Sequence, residues 1–321
     1  MAASSARPRI AFLLGDPNGI GPEIAVKVLA RAQNAQRADI RVFTERAILQ
    51  AGESICGQRI DGAATVVDLP LLDGGSITPG SATRAGGLAA LASLTAAAQA
   101  AREGAIDGIV FAPLNKHALR LAGLAEEDEL RYLQTFFGVD GFVSEFNITG
   151  ELWTSRVTSH IPLKDVPSAL SVGGVGDAVA IVDRYLRASG KAAPRIAVAG
   201  LNPHAGDGGS LGREEIDLIA PAIEQARSRG IDARGPLPAD TVFVAARRGD
   251  YDAVVSMYHD QGQIAMKLMG FDHGVTLHGG LPVPVATCAS GTAFDIVGRN
   301  CANAEGLQAA LDLTVRIATR Q

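Results

Sequence analysis

Short apolar runs alternate along the chain with longer stretches of helical period. Ile10-Ala-Phe-Leu-Leu14 has the length and apolarity of a buried strand and runs into a glycine-rich turn. A helix is expected from Pro22 to about Ala32, with proline suited to its first turn. Gly86 to Arg102 is rich in alanine and leucine, and its Thr95–Ala101 stretch reads as plain helix because alanine is the best helix former. Ile109–Ala112 is a second strand, stopped by Pro113. Further along, helix is expected over Val175–Ala188, strand over Arg195–Ala199, helix over Glu214–Arg229 with a glycine stop at Gly230, and strand over Ala253–Ser256. Ala304–Thr319 closes the pattern as an amphipathic helix with Leu307, Leu311, Val315 and Ala318 on one stripe. Such alternation predicts an α/β protein with a largely parallel sheet. The exception is Phe142–Ile148 and Leu152–Thr158, separated only by Gly150-Glu151, which reads as a hairpin in a second domain or at an interface.

Composition narrows the class. A chain of 321 residues, 47% hydrophobic, predicts about two domains. Lys+Arg 29 against Asp+Glu 34 gives a net charge of −5, unlike a nucleic-acid binder, so a small metabolite is the expected partner. Cys56, Cys288 and Cys301 are odd in number and lack CxxC spacing, as expected of free thiols in a reducing cytoplasm. The apolar Ile10–Leu14 run is too short for a signal segment, and no stretch approaches the roughly 20 apolar residues of a membrane span. A cytoplasmic location and no membrane partner are therefore expected.

The candidate chemistry lies in loops that follow apolar runs. Gly15-Asp16-Pro17-Asn18-Gly19-Ile20-Gly21-Pro22-Glu23 joins a strand to a helix, where α/β enzymes place ligands. Its spacing is neither GxGxxG nor a P-loop, so it either presents helix-start NH groups to a ligand or serves only to turn the chain. Of six histidines, His160, His204 and His259 sit in polar, loop-like settings, separated by 44 and 55 residues. Three neutral imidazoles form a sensible catalytic set for zinc or a similar ion. Spacing alone leaves open that each is a hydrogen-bonded structural residue. Lys116 and Asp240 follow apolar or Pro-bounded segments; by themselves they read first as solvated or capping charges, and beside that as candidates for acid/base work. His273 and His278 fall near a variable loop and read as surface or pocket-lining residues.

Taken together, GDPNGIGPE (15–23), PLNK (113–116), SHIPL (159–163), LNPHAGDGG (201–209), LPADT (237–241), YHDQG (258–262) and GTAFDIVGR (291–299) resemble the 4-hydroxythreonine-4-phosphate dehydrogenase family, which serves pyridoxal phosphate synthesis, and its paralogues. GIGPE and GTAFDIVG are also similar to motifs of the wider isocitrate and isopropylmalate dehydrogenase superfamily. The resemblance implies a two-domain α/β/α three-layer subunit of isopropylmalate dehydrogenase type with the active site in the interdomain cleft. The expected division is a discontinuous cofactor domain, 1–126 plus 263–321, and a metal-binding and dimerisation domain, 127–262.

The resemblance further implies a homodimer with shared active sites, in which His160 and His204 of one subunit and His259 of the other hold a divalent ion. Zinc is the first choice, with magnesium, manganese or cobalt as alternatives. NAD is expected on the loop around Gly291, Thr292, Ala293 and Asp295. The implied reaction oxidises a hydroxyl β to a carboxylate, with decarboxylation of the resulting β-keto acid; Lys116 and Asp240 match family positions for proton transfer.

The substrate positions depart from the family pattern. Where the family carries Gly-His-Thr-Glu, this chain reads Asp128-Glu129-Leu130-Arg131. Lys267 is retained, Thr276 replaces an asparagine, Val285 replaces an arginine, and Ala289-Ser290 replace an Asp-His pair. An altered phosphate pocket follows, formed in part by Lys267, Glu129 and Thr276. The resemblance therefore leaves three substrate classes open: 4-hydroxythreonine 4-phosphate, a sugar-acid phosphate, and a non-phosphorylated cis-dihydrodiol carboxylate of the terephthalate type. A non-catalytic ligand-binding protein that keeps the fold, and a metal-dependent hydrolase, are the readings of other classes.

Overall fold

The computed structural model describes residues 7–72, 76–270 and 274–320, so His273 lies outside the described residues. The chain divides into two compact units, 1–140 with 275–277 and 281–321, and 141–274 with 278–280. The boundaries fall at 140/141 and 274/275, not at the expected 126/127 and 262/263, for a packing reason in each case. The helix 129–137 packs on the long helix 84–102, where the Thr95 and Tyr132 hydroxyls are hydrogen-bonded at 2.6 Å. The helix 259–268 packs on strands of the second unit.

The first unit runs β1 (Arg9–Leu13), α1 (Gly21–Leu29), α2 (Ala32–Arg37), β2 (Asp39–Thr44), α3 (Arg46–Cys56), β3 (Thr65–Asp68), α4 (Arg84–Arg102), β4 (Gly108–Phe111), α5 (Lys116–Leu121) and α6 (Glu129–Phe137). The second runs β5 (Ser144–Thr149), β6 (Leu152–Arg156), α7 (Val166–Ala169), α8 (Val172–Ala188), β7 (Arg195–Ala199), α9 (Ala220–Ser228), β8 (Asp232–Leu237), α10 (Ala239–Arg247), β9 (Ala253–Ser256) and α11 (His259–Leu268). β10 (Val275–Gly279) is divided between the units, and β11 (Val285–Cys288) and α12 (Glu305–Ala318) return to the first.

In the first unit the strand order is β3-β2-β1-β4-β11, every pair parallel. In the second it is β5-β6-β9-β7-β8, parallel except for the β5–β6 hairpin. Gly150 makes that hairpin turn at φ +58, a conformation glycine adopts without strain. Ile196, Ala197, Val198 and Ala199 are all fully buried, so helices cover both faces of this sheet. Ala197, Ala199 and Val254 pack with Val242, Phe243 and Ala246 of α10 and Met266 of α11, while α8 also packs on β6, β7 and β9. The alternation read from the sequence thus becomes an α/β/α sandwich because continuous apolar strands must be covered on both sides.

The amino ends of both sheets are locked by one device. In the first unit Asp107 accepts hydrogen bonds from the Arg9 backbone (2.7 Å) and guanidinium at the start of β1. In the second, Asp252 accepts from the Arg195 backbone (2.8 Å) and guanidinium at the start of β7, and pairs with Lys191 at 2.8 Å. Burial alone would raise the Asp252 carboxyl, but the Arg195 and Lys191 hydrogen bonds outweigh it and hold it at about 2. A carboxyl lowered in the folded state stabilises the fold above its unfolded value of about 4, and that stability is lost as pH falls toward the folded value. Asp252→Asn is expected to cost about 1.5–3 kcal/mol at neutral pH. The gap to the parent protein should narrow below about pH 4 and close near pH 2. Denaturant unfolding across pH measures this, and a gap that is constant with pH would refute it.

Candidate active site

The second unit gathers the predicted metal residues and Asp240 by strand order alone. β6 and β9 are in register at Arg156↔Ser256, β9 and β7 at Val255↔Val198, and β7 and β8 at Ala199↔Leu237. Their carboxyl ends therefore stand side by side. His160 follows β6, His259 begins α11 after β9, His204 follows β7, and Asp240 lies in the first turn of α10 after β8. Hydrogen bonds continue laterally beyond the strands: Val157 N donates to Ser256 O (2.9 Å), Thr158 N and Oγ1 to Met257 O, the Gln261 side chain to Gly200 O (2.7 Å), and Gly200 N to Leu237 O (2.7 Å). Gln261 also accepts from Met257 N at 2.7 Å.

The rings of His160 and His259 lie 5.3 Å apart within one chain. His259 Nδ1 is 2.7 Å from Asp260 Oδ1, a bond that fixes the ring and leaves Nε2 facing away from that partner. His160, His204 and Asp240 are exposed, and His259 is half-buried.

His204 opens an unusual turn. Residues 204–209 all have positive φ, and three of them are not glycine: His204 (φ 52), Ala205 (φ 52) and Asp207 (φ 43). Each such residue costs about 1–2 kcal/mol, so the surroundings must hold the turn in place. Glu215 is fully enclosed beneath it. The expected helix over Glu214–Arg229 begins with a single π-turn, Glu215–Ile219, before α9, which is what turns this carboxylate inward.

The first unit gathers the predicted cofactor residues and Lys116 at its own carboxyl edge. Gly15 lies so close to the carbonyls of Ala112 and Pro113 that an added Cβ would meet both at 2.5 Å. Asp16 N donates to Pro113 O, and Ile20 N donates to Thr292 O, each at 3.0 Å. Asn115 caps α5 by accepting from Ala118 N at 2.9 Å, and its amide reaches the Thr292 hydroxyl at 3.3 Å. The glycine turn, the PLNK segment and the GTA loop therefore form one hydrogen-bonded edge. Lys116, at the first position of α5, is exposed, as are Gly291 and Asp295, while Thr292 is buried and Ala293 has φ 40. Asp16 is fully enclosed; burial raises its carboxyl above the usual range, against a backbone hydrogen bond from Asn18.

The substrate candidates are dispersed. Lys267 is exposed near the end of α11 and Thr276 is half-buried in β10. Glu129 is half-buried in the first turn of α6, while Leu130 points into the core and Asp128 caps the helix by accepting from Arg131 N. Val285 is fully buried in β11, opposite Ile109, and supplies no charge. His278, expected on a surface or in a pocket lining, is instead fully enclosed in β10, 4.0 Å from Glu145. Glu215, Asn202 and Gln261 were not singled out from the sequence; the acidic pair at Glu214-Glu215 directly after a glycine-rich loop was the available signal for the first.

Side chains of this kind, standing on loops outside the carboxyl ends of parallel strands, define an α/β enzyme. The family described as "Pyridoxal phosphate biosynthetic protein PdxA" matches residues 20–314. A 4-hydroxythreonine-4-phosphate dehydrogenase of Burkholderia vietnamiensis is 40% identical over 98% of each chain. A D-threonate 4-phosphate dehydrogenase of Salmonella typhimurium is 36% identical over 96% of this chain and 98% of that one. The crystal structure of a 4-hydroxythreonine-4-phosphate dehydrogenase from Klebsiella pneumoniae superposes with a TM-score of 0.84 at 35% identity, covering 99% of this chain and 100% of the other. The chain belongs to the PdxA family, and it is an oxidoreductase acting on a CH–OH group.

Proposed function

We propose that the protein is an NAD-dependent, divalent-metal-assisted dehydrogenase that oxidises the β-hydroxyl of a small four-carbon hydroxy acid and releases its carboxylate as CO2. The observation that carries this reading is the row of His160, His259, His204 and Asp240 at four adjacent strand ends. Within this set, the spacing of His160 and His259 fits two ligands of one catalytic ion. Two imidazoles bound at about 2.0–2.1 Å and a tetrahedral angle hold their ring centres about 5 Å apart, and His160 and His259 stand at 5.3 Å. His160, His204 and His259 would hold the ion, and the loop Gly291–Asp295 the dinucleotide.

When bound, the ion would lower the cost of negative charge on the substrate oxygen, and the dinucleotide on the Gly291–Asp295 loop would supply the acceptor for the hydride lost from the carbinol carbon. The chain's own groups do the rest. Lys116 or Asp240 takes the hydroxyl proton, directly or through water, as the carbonyl forms. The β-keto acid then loses its carboxylate: the bond to Cα breaks, its electron pair stays on Cα, and a proton returned by one of these groups completes the product. Lys267 and Thr276 are proposed to contact substrate, with Glu129 shaping selectivity.

NADH formation should be measured with zinc, manganese or magnesium on 4-hydroxythreonine 4-phosphate, threonate and erythronate 4-phosphates, and their non-phosphorylated acids. Turnover of a four-carbon acid with CO2 release is expected. Undiminished turnover after chelation, or no turnover of any acid with metal and NAD supplied, would overturn the reading. A second outcome has its own support: Val285, where the resemblance leads one to expect an arginine, is an uncharged and fully buried residue. A preference for a non-phosphorylated acid would follow from the loss of a charge-assisted phosphate contact worth about 1.5–3 kcal/mol.

A homodimer is part of the proposal. Among the described residues, the large exposed apolar side chains of the second unit are Ile161, Leu163, Leu211, Ile216, Val244, Ile264 and Leu268. They lie on the segments that carry or follow His160, His204, Asp240 and His259, and they are the side chains proposed to meet the partner subunit. Leu268, 83% exposed at the end of α11, is the most open of them. Leu268→Glu is expected to shift the protein from dimer to monomer in light scattering. A dimer unaffected by this change and by Leu163→Glu would place the contact elsewhere.

A further inference from the structure

We infer that Glu215 is the positioning residue that holds His204 in place, acting through the left-handed turn rather than by touching ion or substrate; this rests on the metal reading proposed above. Its Oε1 accepts hydrogen bonds from the backbone N–H of Leu201 and of Asn202, each at 2.7 Å, and Oε2 accepts from the Asn202 side-chain amide at 2.9 Å. Both carboxylate oxygens are thus committed to the two residues that lead into His204. The second amide contact of Asn202, to Glu214 at 2.7 Å, fixes the orientation of that side chain.

The turn is shaped around this carboxylate. A Cβ on Gly206 would stand 2.6 Å from Glu215 Oε2, and one on Gly200 would stand 3.1 Å from Oε1 and 3.0 Å from the Ala205 Cα. Glycine at 200 and 206 lets the chain wrap closely over the acid, and Ala205 N donates to Asn202 O at 3.1 Å to close the arc. Left-handed backbone at His204, Ala205 and Asp207 is disfavoured on its own, so the turn persists only while the acid gathers its donors. A buried carboxylate supplies acceptors alone; an amide in its place turns an N–H toward Asn202 Nδ2, donor against donor.

The test compares the full-length parent protein with Glu215→Gln in two measurements. Amide hydrogen exchange without added metal reads the turn directly: residues 201–211 of the variant should exchange at least about tenfold faster, with the strands unchanged. Calorimetric titration with zinc or manganese alone should show affinity about 10- to 100-fold weaker, the loss usual when a group that orients a metal ligand is removed. Adding Ala205→Gly to Glu215→Gln lowers the cost of the left-handed turn and should restore part of that affinity, a recovery that general destabilisation would not give. If Glu215→Gln fails to fold, Gly206→Ala, which drives a methyl at the same oxygen, should show the same faster exchange. Unchanged exchange in either variant overturns the inference, as does unchanged ion affinity in a variant whose turn has loosened. Failure of the metal reading looks different: the parent itself binds no ion, while exchange still reports whether Glu215 holds the turn.

Discussion

His204→Asn is expected to weaken divalent-ion binding by about a hundredfold or more and to lower turnover about 10³-fold, equivalent to about 4 kcal/mol of transition-state stabilisation. Asparagine is the apt replacement because it tolerates the left-handed backbone that His204 adopts at φ 52. The turn beneath should therefore survive, and thermal stability should change little, since the ring is exposed. What is lost is the imidazole alone. His160 and His259 would remain as a pair, enough for weak binding but leaving the ion poorly fixed. Calorimetric titration and steady-state rates at saturating metal measure the two effects. An ion affinity equal to that of the parent would remove His204 from the set and, with it, the role given to Glu215.

Gly87→Ala should be among the most damaging single substitutions in the first unit, at about 3–4 kcal/mol and a fall in Tm of roughly 5–10 °C. A Cβ at Gly87 would lie 1.9 Å from the carbonyl oxygen of Ala118, 2.4 Å from its carbon and 3.1 Å from the Ala122 Cβ. These are mostly backbone atoms of α5, which cannot step aside as a flexible side chain can. Relief requires α4 and α5 to separate, and α5 begins with Lys116 behind its Asn115 cap. The substitution should therefore also reduce activity by displacing Lys116. Gly104→Ala serves as the contrast: with φ +71 and no atom within 4 Å of an added Cβ, it carries backbone strain without a clash. It should cost only about 1 kcal/mol. Equal melting temperatures for the two variants would refute the packing argument.

Much of the scaffold was legible in the chain. Arg195–Ala199 and Ala253–Ser256 form strands with the expected bounds, and the hairpin around Gly150 forms as its short turn requires. The stripe of α12 buries Leu307, Leu311 and Val315. These features succeed because burial on one or both faces leaves a period in the sequence. The helix Glu129–Phe137 and the strand Val285–Cys288 were not anticipated, since the helix buries only Leu130 and Leu133 and the strand, Val-Ala-Thr-Cys, carries one large apolar residue, so neither shows an apolar run. His278 was misplaced for a related reason: a polar residue among glycines reads as loop, yet β10 carries it into the interior.

The sequence by itself determined the alternation that makes an α/β fold, the motif order that marks the family, and the residue types able to hold a divalent ion. Only the tertiary structure decided that four of those residues stand in a row. His160, His259, His204 and Asp240 are neighbours because β9 inserts between β6 and β7, pairing Ala253 with Trp153 and with Ile196, about 100 and 57 residues away, which no local pattern encodes. It decided as well that a buried glutamate underlies the most strained backbone in the second unit. Hydrogen bonds from the backbone N–H groups of Leu201 and Asn202 to Glu215 depend on a π-turn and two close-approaching glycines, and such contacts come into being only when the chain has closed on itself.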